Sequence, residues 1–286
     1  MSDNNIARRD FLKSGVAGFS SFFFLSASDK KPGEMAEEKK GAEKKFLFRT
    51  LGKTGFRLPA INMGVMNSDN PNLVRAALQG GMILLDTAQT YQRGTNETMI
   101  GEVLQGRPRD SYVIATKARL PRDEKTGIHT AEATEEAYQK KIDTSLKNLG
   151  LDYVDIYYHH NAWVRETALY EPVMKALAKA KKAGKTRFVG ITTHKNEPEV
   201  IQAAIDSKLY DVVLTTYNFK QAHYPEVREA IAKAAGAGLG VVVMKAMGGV
   251  QLQEKAKQPI EPVPALKWVL QDPNVHTIIA GFTTFD

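Results

Sequence analysis

The chain is 286 residues long, 43% hydrophobic and 25% charged, with 39 Lys and Arg against 32 Asp and Glu for a formal charge of +7. It has no cysteine, which excludes disulfides, thiol nucleophiles and cysteine-ligated iron–sulfur clusters within it, and no stretch reaches the ~18 uninterrupted apolar residues of a membrane span. The surplus positive charge is scattered along amphipathic segments such as QKKIDTSLKN and KALAKAKKAGK with no interleaved aromatics, so solvated helix faces are expected and nucleic-acid binding is not.

Residues 8–28 have the three parts of a secretory signal: a basic start, a short apolar middle and small residues at the end, with Ser26-Ala27-Ser28 offering a cleavage point. The opening ARRDFLK resembles a twin-arginine (Tat) signal, which Arg8, Arg9, Phe11, Leu12 and Lys13 match in register. That resemblance implies the Tat export machinery as a partner, a periplasmic or otherwise exported location, and no stable membrane insertion after cleavage. Residues 29–45 are charged and without periodicity, as expected of a flexible tether.

From residue 46 onward a rhythm sets in. FLFRTLGKTGFRL reads as a hairpin turning at Gly52-Lys53-Thr54-Gly55. Apolar runs of strand length follow at 61–66, 82–87, 112–117, 153–160, 187–193, 211–218, 240–247 and 276–282. Helical segments lie between them at 72–80, 97–105, 135–150, 171–184, 197–208, 225–238 and 262–271, several with Pro in the first turn and Gly at the end. Alternation of this kind implies an α/β fold with a parallel sheet, and eight strands imply a closed (β/α)8 TIM barrel over residues 46–286. A doubly wound open sheet is the alternative. Against it, no strand leads into a Gly-rich phosphate loop, and the glycine cluster GAGLG at 236–240 follows a helix, the wrong order for a dinucleotide fingerprint. The eighth strand is followed only by GFTTFD, so the eighth helix is expected to be absent and the given sequence to be a fragment.

In such a barrel chemistry sits where strands end and loops begin. Reading those ends gives Asp86, Lys117 and His160, with Tyr91 five residues beyond Asp86. An Asp beside a Lys keeps the ammonium charged, and that charge favours phenolate on a neighbouring Tyr, making it a usable proton donor. A His at the same rim can orient a substrate oxygen. Each also has a plainer reading: Asp as a helix cap, Tyr as packing, Lys as a snorkelling side chain. His159 and His160 point to opposite faces of one strand and cannot chelate a single ion, so no metal is expected.

LLDTAQTYQRGTNETMIGEVLQGRPRDSYVIATK and LGLDYVDIYYHHNA resemble the signatures of the aldo-keto reductase family. Counted onto those motifs, D-T-A-Q-T-Y supplies Asp86 and Tyr91, YVIATK supplies Lys117, and DYVDIYYHH supplies His160. RTLGKTGFRLPAINMG is similar to the family's start, including a hairpin that plugs the barrel floor. The resemblance implies NADP- or NAD-dependent reduction of a small-molecule aldehyde or ketone, with Tyr91 as proton donor, Lys117 and Asp86 tuning it, and His160 orienting the carbonyl. Met66, Trp163 and Tyr217 are candidates to shape the substrate pocket, or to be packing only.

The same resemblance assigns cofactor contacts to Gly64, Val65, Met66, Thr192, Thr193, Leu214, Met244, Lys245, Gly248, Gly281, Phe282 and Thr283. Several depart from the family's usual residues. Thr192 and Thr193 stand where Ser-Asn holds the carboxamide, Leu214 where a Gln is expected, and Met244 where an aromatic stacks on the nicotinamide. These departures keep a second reading open: an exported barrel that binds a ligand or redox partner without nicotinamide turnover, part of a longer iron–sulfur oxidoreductase.

Overall fold

The computed structural model describes residues 46–249 and 260–285, so the export signal expected over 1–28 and the tether over 29–45 lie outside the described residues. The hairpin is formed by β1 (Phe48–Thr50) and β2 (Arg57–Pro59), paired antiparallel around a tight turn at Gly52–Thr54. Gly52 has φ +48, and a Cβ there would stand 2.4 Å from the backbone nitrogen of Gly240. Only glycine takes that conformation at that distance. The Lys53 amide donates to the Gly238 carbonyl at 2.9 Å, pressing the turn against the bottom of the barrel.

The body then runs β3 (Ile61–Gly64), α1 (Pro71–Gln79), β4 (Leu84–Asp86), α2 (Asn96–Leu104), β5 (Val113–Ala118), α3 (Glu135–Leu149), β6 (Val154–Ala162), α4 (Arg165–Ala168), α5 (Glu171–Lys182), β7 (Thr186–Thr193), α6 (Glu197–Ser207), β8 (Val212–Thr216), α7 (Tyr224–Gly236), β9 (Gly240–Met244), α8 (Pro262–Leu270) and β10 (Thr277–Gly281). β3 through β10 close into one parallel barrel, with Ile278 of β10 opposite Ile61 of β3. The eight strands and seven interleaved helices expected from the sequence are all present. The short α4 was not expected: RETA is too brief to show a helical period. Among the described residues no helix follows β10.

Two apolar layers hold the fold. Outside the sheet, Ile100, Ile142, Leu177, Ile201 and Ile231 from the helices pack with Met63, Ile114 and Val189 from the strands. Inside it, Leu84, Ile156, Tyr158, Leu214, Val242 and Ile279 close on Leu51 and Leu58 from the hairpin, so the hairpin plugs the floor. Each fully buried aliphatic side chain contributes about 1.5–3 kcal/mol. Buried Asn62 joins the pieces: its amide donates to Pro59 O at 2.8 Å and Thr277 Oγ1 at 2.9 Å and accepts from the amides of Ile83 and Leu84. Arg49 on β1 donates to the carbonyls of Leu270 at 2.7 Å and Asp272 at 2.9 Å, and to Val275, clasping the hairpin to the segment before β10.

Candidate active site

At the C-terminal end of the barrel β4, β5 and β6 deliver Asp86, Lys117 and His160, and the loop after β4 brings Tyr91 to them. Lys117 Nζ donates to Asp86 Oδ1 and, at 2.8 Å, to the Thr87 carbonyl. The same ammonium lies 5.0 Å from the centre of the Tyr91 ring, and the Tyr91 and His160 rings meet edge to face at 6.3 Å. The four residues singled out from the strand ends therefore form one constellation. His159 turns to the opposite face, where it stacks on His129 at 5.4 Å, as strand alternation requires.

The electrostatics follow from burial. Burial pulls Lys117 down, but Asp86 and then Tyr91 outweigh it and hold the ammonium above its usual value. For Tyr91, burial raises the hydroxyl and the Lys117 charge only partly offsets this, leaving it above the ordinary phenol. That reverses the expectation of a lowered Tyr91: desolvation of the phenolate exceeds its attraction to the cation. Tyr91 thus keeps its proton at neutral pH and can give it away. Burial first, then the Lys117 charge, pushes His160 well below the usual imidazole range, so it is a neutral hydrogen-bonding group.

Residues the sequence did not flag hold this geometry. Asn96, fully buried, accepts from Thr87 Oγ1 at 2.6 Å and donates to the carbonyls of Val65 and Ser68 at 3.2 Å, tying the loop after β3 to the loop after β4 that carries Tyr91. Its neighbour Glu97 accepts from Thr116 Oγ1 at 2.7 Å and Asn148 Nδ2 at 3.0 Å. The non-glycine residues Gln92, Arg93, Asn161, Asn196 and Lys245 have left-handed backbones, and all lie in loops at this end or at a strand's end. Such strain persists where a site is over-determined by its surroundings. His194, after β7, contacts Thr216 Oγ1 at 3.3 Å, and burial followed by the charges of Lys245 and Lys117 pushes it down to about 3. Within the sequence its only signal was a position directly after Thr192-Thr193.

The residues expected to hold a cofactor have mixed tasks. Gly64 and Gly281 face each other across the β3–β10 pair. Thr192 Oγ1 accepts the Asn161 amide at 2.7 Å and keeps its own proton to donate. Thr193 spends its proton on the Lys195 carbonyl at 2.6 Å. Leu214 and Met244 belong to the inner apolar layer, while the Val65 side chain packs in the outer one. Phe282 rests against that outer layer, and Met66, Lys245 and Thr283 are exposed. Gly248 and Gly249 have left-handed backbones next to Lys245, in a tight turn closed by the Gly248 amide donating to the Lys245 carbonyl at 2.7 Å. Tyr217 is packing: it is buried 4.9 Å from Trp268 of α8, in the outer layer. Trp163 stays half-buried at the rim. A separate cleft of about 550 Å3 lies away from this chemistry, between the C-terminal ends of α2 and α3 and the start of β5 and β6.

The sequence profile of the "Aldo/keto reductase family" matches residues 60–265. The chain is 34% identical over 161 residues to L-galactose dehydrogenase of Arabidopsis thaliana, covering 52% of this chain and 49% of that protein. It is 32% identical over 172 residues to L-glyceraldehyde 3-phosphate reductase of Escherichia coli, covering 56% of this chain and 48% of that protein. It thus spans about half the length of the curated relatives it matches. Among solved structures, an aldo-keto reductase from Bacillus halodurans in its holo form superposes with a TM-score of 0.67 at 21% identity, over 85% of this chain and 88% of that one, a likeness of fold.

Proposed function

Because the chain belongs to the aldo/keto reductase family, we propose that it is an oxidoreductase that reduces an aldehyde or ketone to the alcohol, with Tyr91 as proton donor. The observation that carries this is the constellation of Asp86, Tyr91, Lys117 and His160 at one end of the barrel. A nicotinamide cofactor, NADP or NAD, supplies hydride to the carbonyl carbon when bound. Thr192, Lys245, Gly248 and Gly281 are the residues that would hold it, since they offer a hydroxyl proton not spent within the protein, an exposed charge and glycines with no side chain to block a close approach. Leu214 adds only an apolar wall.

The chain's own residues do the rest. His160, neutral, donates one hydrogen bond to the carbonyl oxygen and fixes its direction. As the carbon gains its hydrogen the oxygen becomes alkoxide-like, and Tyr91 passes it the phenol proton. The Lys117 charge stabilises the phenolate left behind, and Asp86 keeps Lys117 protonated and aimed. Replacing Tyr91 with Phe removes the proton and leaves the ring. Turnover of 4-nitrobenzaldehyde with NADPH should fall by roughly a hundredfold to ten-thousandfold, with an unchanged circular-dichroism melt. An undiminished rate would overturn the assignment. Titrating NADPH and NADH against tryptophan fluorescence tests the cofactor half, and absence of saturable binding would favour a ligand-binding barrel without turnover.

A further inference from the structure

Resting on that reductase reading, we propose that the rim beside His160 binds an anionic group of the substrate, a carboxylate or phosphate on the same molecule as the reacting carbonyl. Trp163 follows His160 by three residues and so lies within about 10 Å of it along the chain. Two cations converge on its indole: Arg122 Cζ and Lys195 Nζ each stand 3.7 Å from the ring centre. They come from the loops after β5 and β7, which therefore meet over the end of β6. Arg119, exposed at the end of β5, adds a third positive charge that acts on His160.

This charge has little to balance it within the protein. The Arg122 side chain is 2% exposed, yet its acid partner Glu124 is 3.5 Å away and 65% exposed. Its remaining bond runs to the Asn161 carbonyl, and its Nε has no partner. Arg119 and Lys195 make no ion pair among the described residues. Glu124 and Glu166 are exposed, and three further carboxylates at this end are engaged elsewhere. Asp86 holds Lys117, Asp123 accepts from Lys125 and Thr126 in its own turn, and Glu197 accepts from Gln221 and contacts His223. A buried guanidinium with so weak a counter-charge is costly. An anion arriving with the substrate relieves that cost, and guanidinium groups bind carboxylate and phosphate well.

The test compares three aldehydes of one shape: 4-carboxybenzaldehyde, 4-formylphenyl phosphate and neutral 4-methoxybenzaldehyde. The wild type should show kcat/KM at least tenfold higher for one anionic aldehyde than for the neutral one, and the larger ratio names the anion. Lys195→Gln and Arg119→Gln are exposed and should fold; each should cut that ratio severalfold, the loss shrinking in high salt. Equal use of all three aldehydes, or ratios unmoved in both variants, would overturn the proposal. If no aldehyde is reduced, the reductase reading fails, and binding decides the rim separately. In a Trp268→Phe background only Trp163 reports, and 4-(hydroxymethyl)benzoate or phenyl phosphate should quench it saturably where 4-methoxybenzyl alcohol does not. Equal response to all three counts against an anion site.

Discussion

At the scale of single residues, the candidate site is built on one buried ion pair. Asp86 and Lys117 are both almost fully inside the barrel end, and each is tolerable only beside the other. Lys117→Met strands a carboxylate whose second oxygen already lacks a partner, at a cost of about 3–5 kcal/mol. Asp86→Asn strands the ammonium likewise. The double variant Asp86→Asn, Lys117→Met should lose clearly less stability than the sum of the singles in urea melts, and strict additivity would contradict the pairing. Sequence reasoning reached these four residues because family motifs fix their spacing to strand ends. It missed Asn96, Arg122 and His194, whose roles depend on long-range partners: Asn96 reaches back to Val65 and Ser68, and Arg122 reaches Trp163 only through the fold. It also misjudged the direction of Tyr91, because spacing says nothing about how deeply a phenol is buried.

At the scale of elements, the strands were legible as β-rich apolar runs and the helices as amphipathic periods closed by Gly, so every barrel element except the short α4 lies close to where it was expected. The loop packing was not. The segment 119–134 carries no period, yet Arg122 pairs with His129 as an isolated bridge, and the Gly127 carbonyl accepts from Thr167 of α4 at 2.5 Å. Within the barrel the most extensive strand pairing is that of β6 with β7. A Cβ on Gly190 would sit 2.4 Å from the Tyr158 ring and 2.7 Å from the Val212 carbonyl. Tyr158 fills the lumen under the site, so Gly190→Ala must push it toward Asp86 and Lys117. Overpacking of this kind costs about 1–3 kcal/mol. Thermal melts of Gly190→Ala should show that loss together with reduced turnover, whereas a wild-type melt would mean that Tyr158 has room to move.

For the whole molecule, burial of imidazoles sets the response to acid. Burial pushes His159 and His194 down to about 3, and His160 well below its ordinary value. Unfolded, each takes a proton near pH 6.5. Their folded pKa values are depressed, so their contribution to stability is complete above about pH 6.5 and is lost as pH falls toward 3. Each withdraws up to about 1.4 kcal/mol per pH unit across that window. Melting temperatures at pH 5.0 should lie several degrees below those at pH 7.5. Equal or higher values in acid would contradict neutral burial of these rings.

The clasp made by Arg49 also has a consequence for how the protein is made. Its three acceptors lie more than 220 residues further along the chain, and β3 finds its second neighbour only in β10. On the ribosome the first hairpin and first barrel strand must wait, unpaired on one side, until residues 270–281 have emerged. Until then Leu51 and Leu58 have no closed floor to plug, and the growing sheet keeps an open edge of the kind chaperones recognise. Barrel closure therefore waits for residues 270–281 and joins the first and last strands of the described barrel.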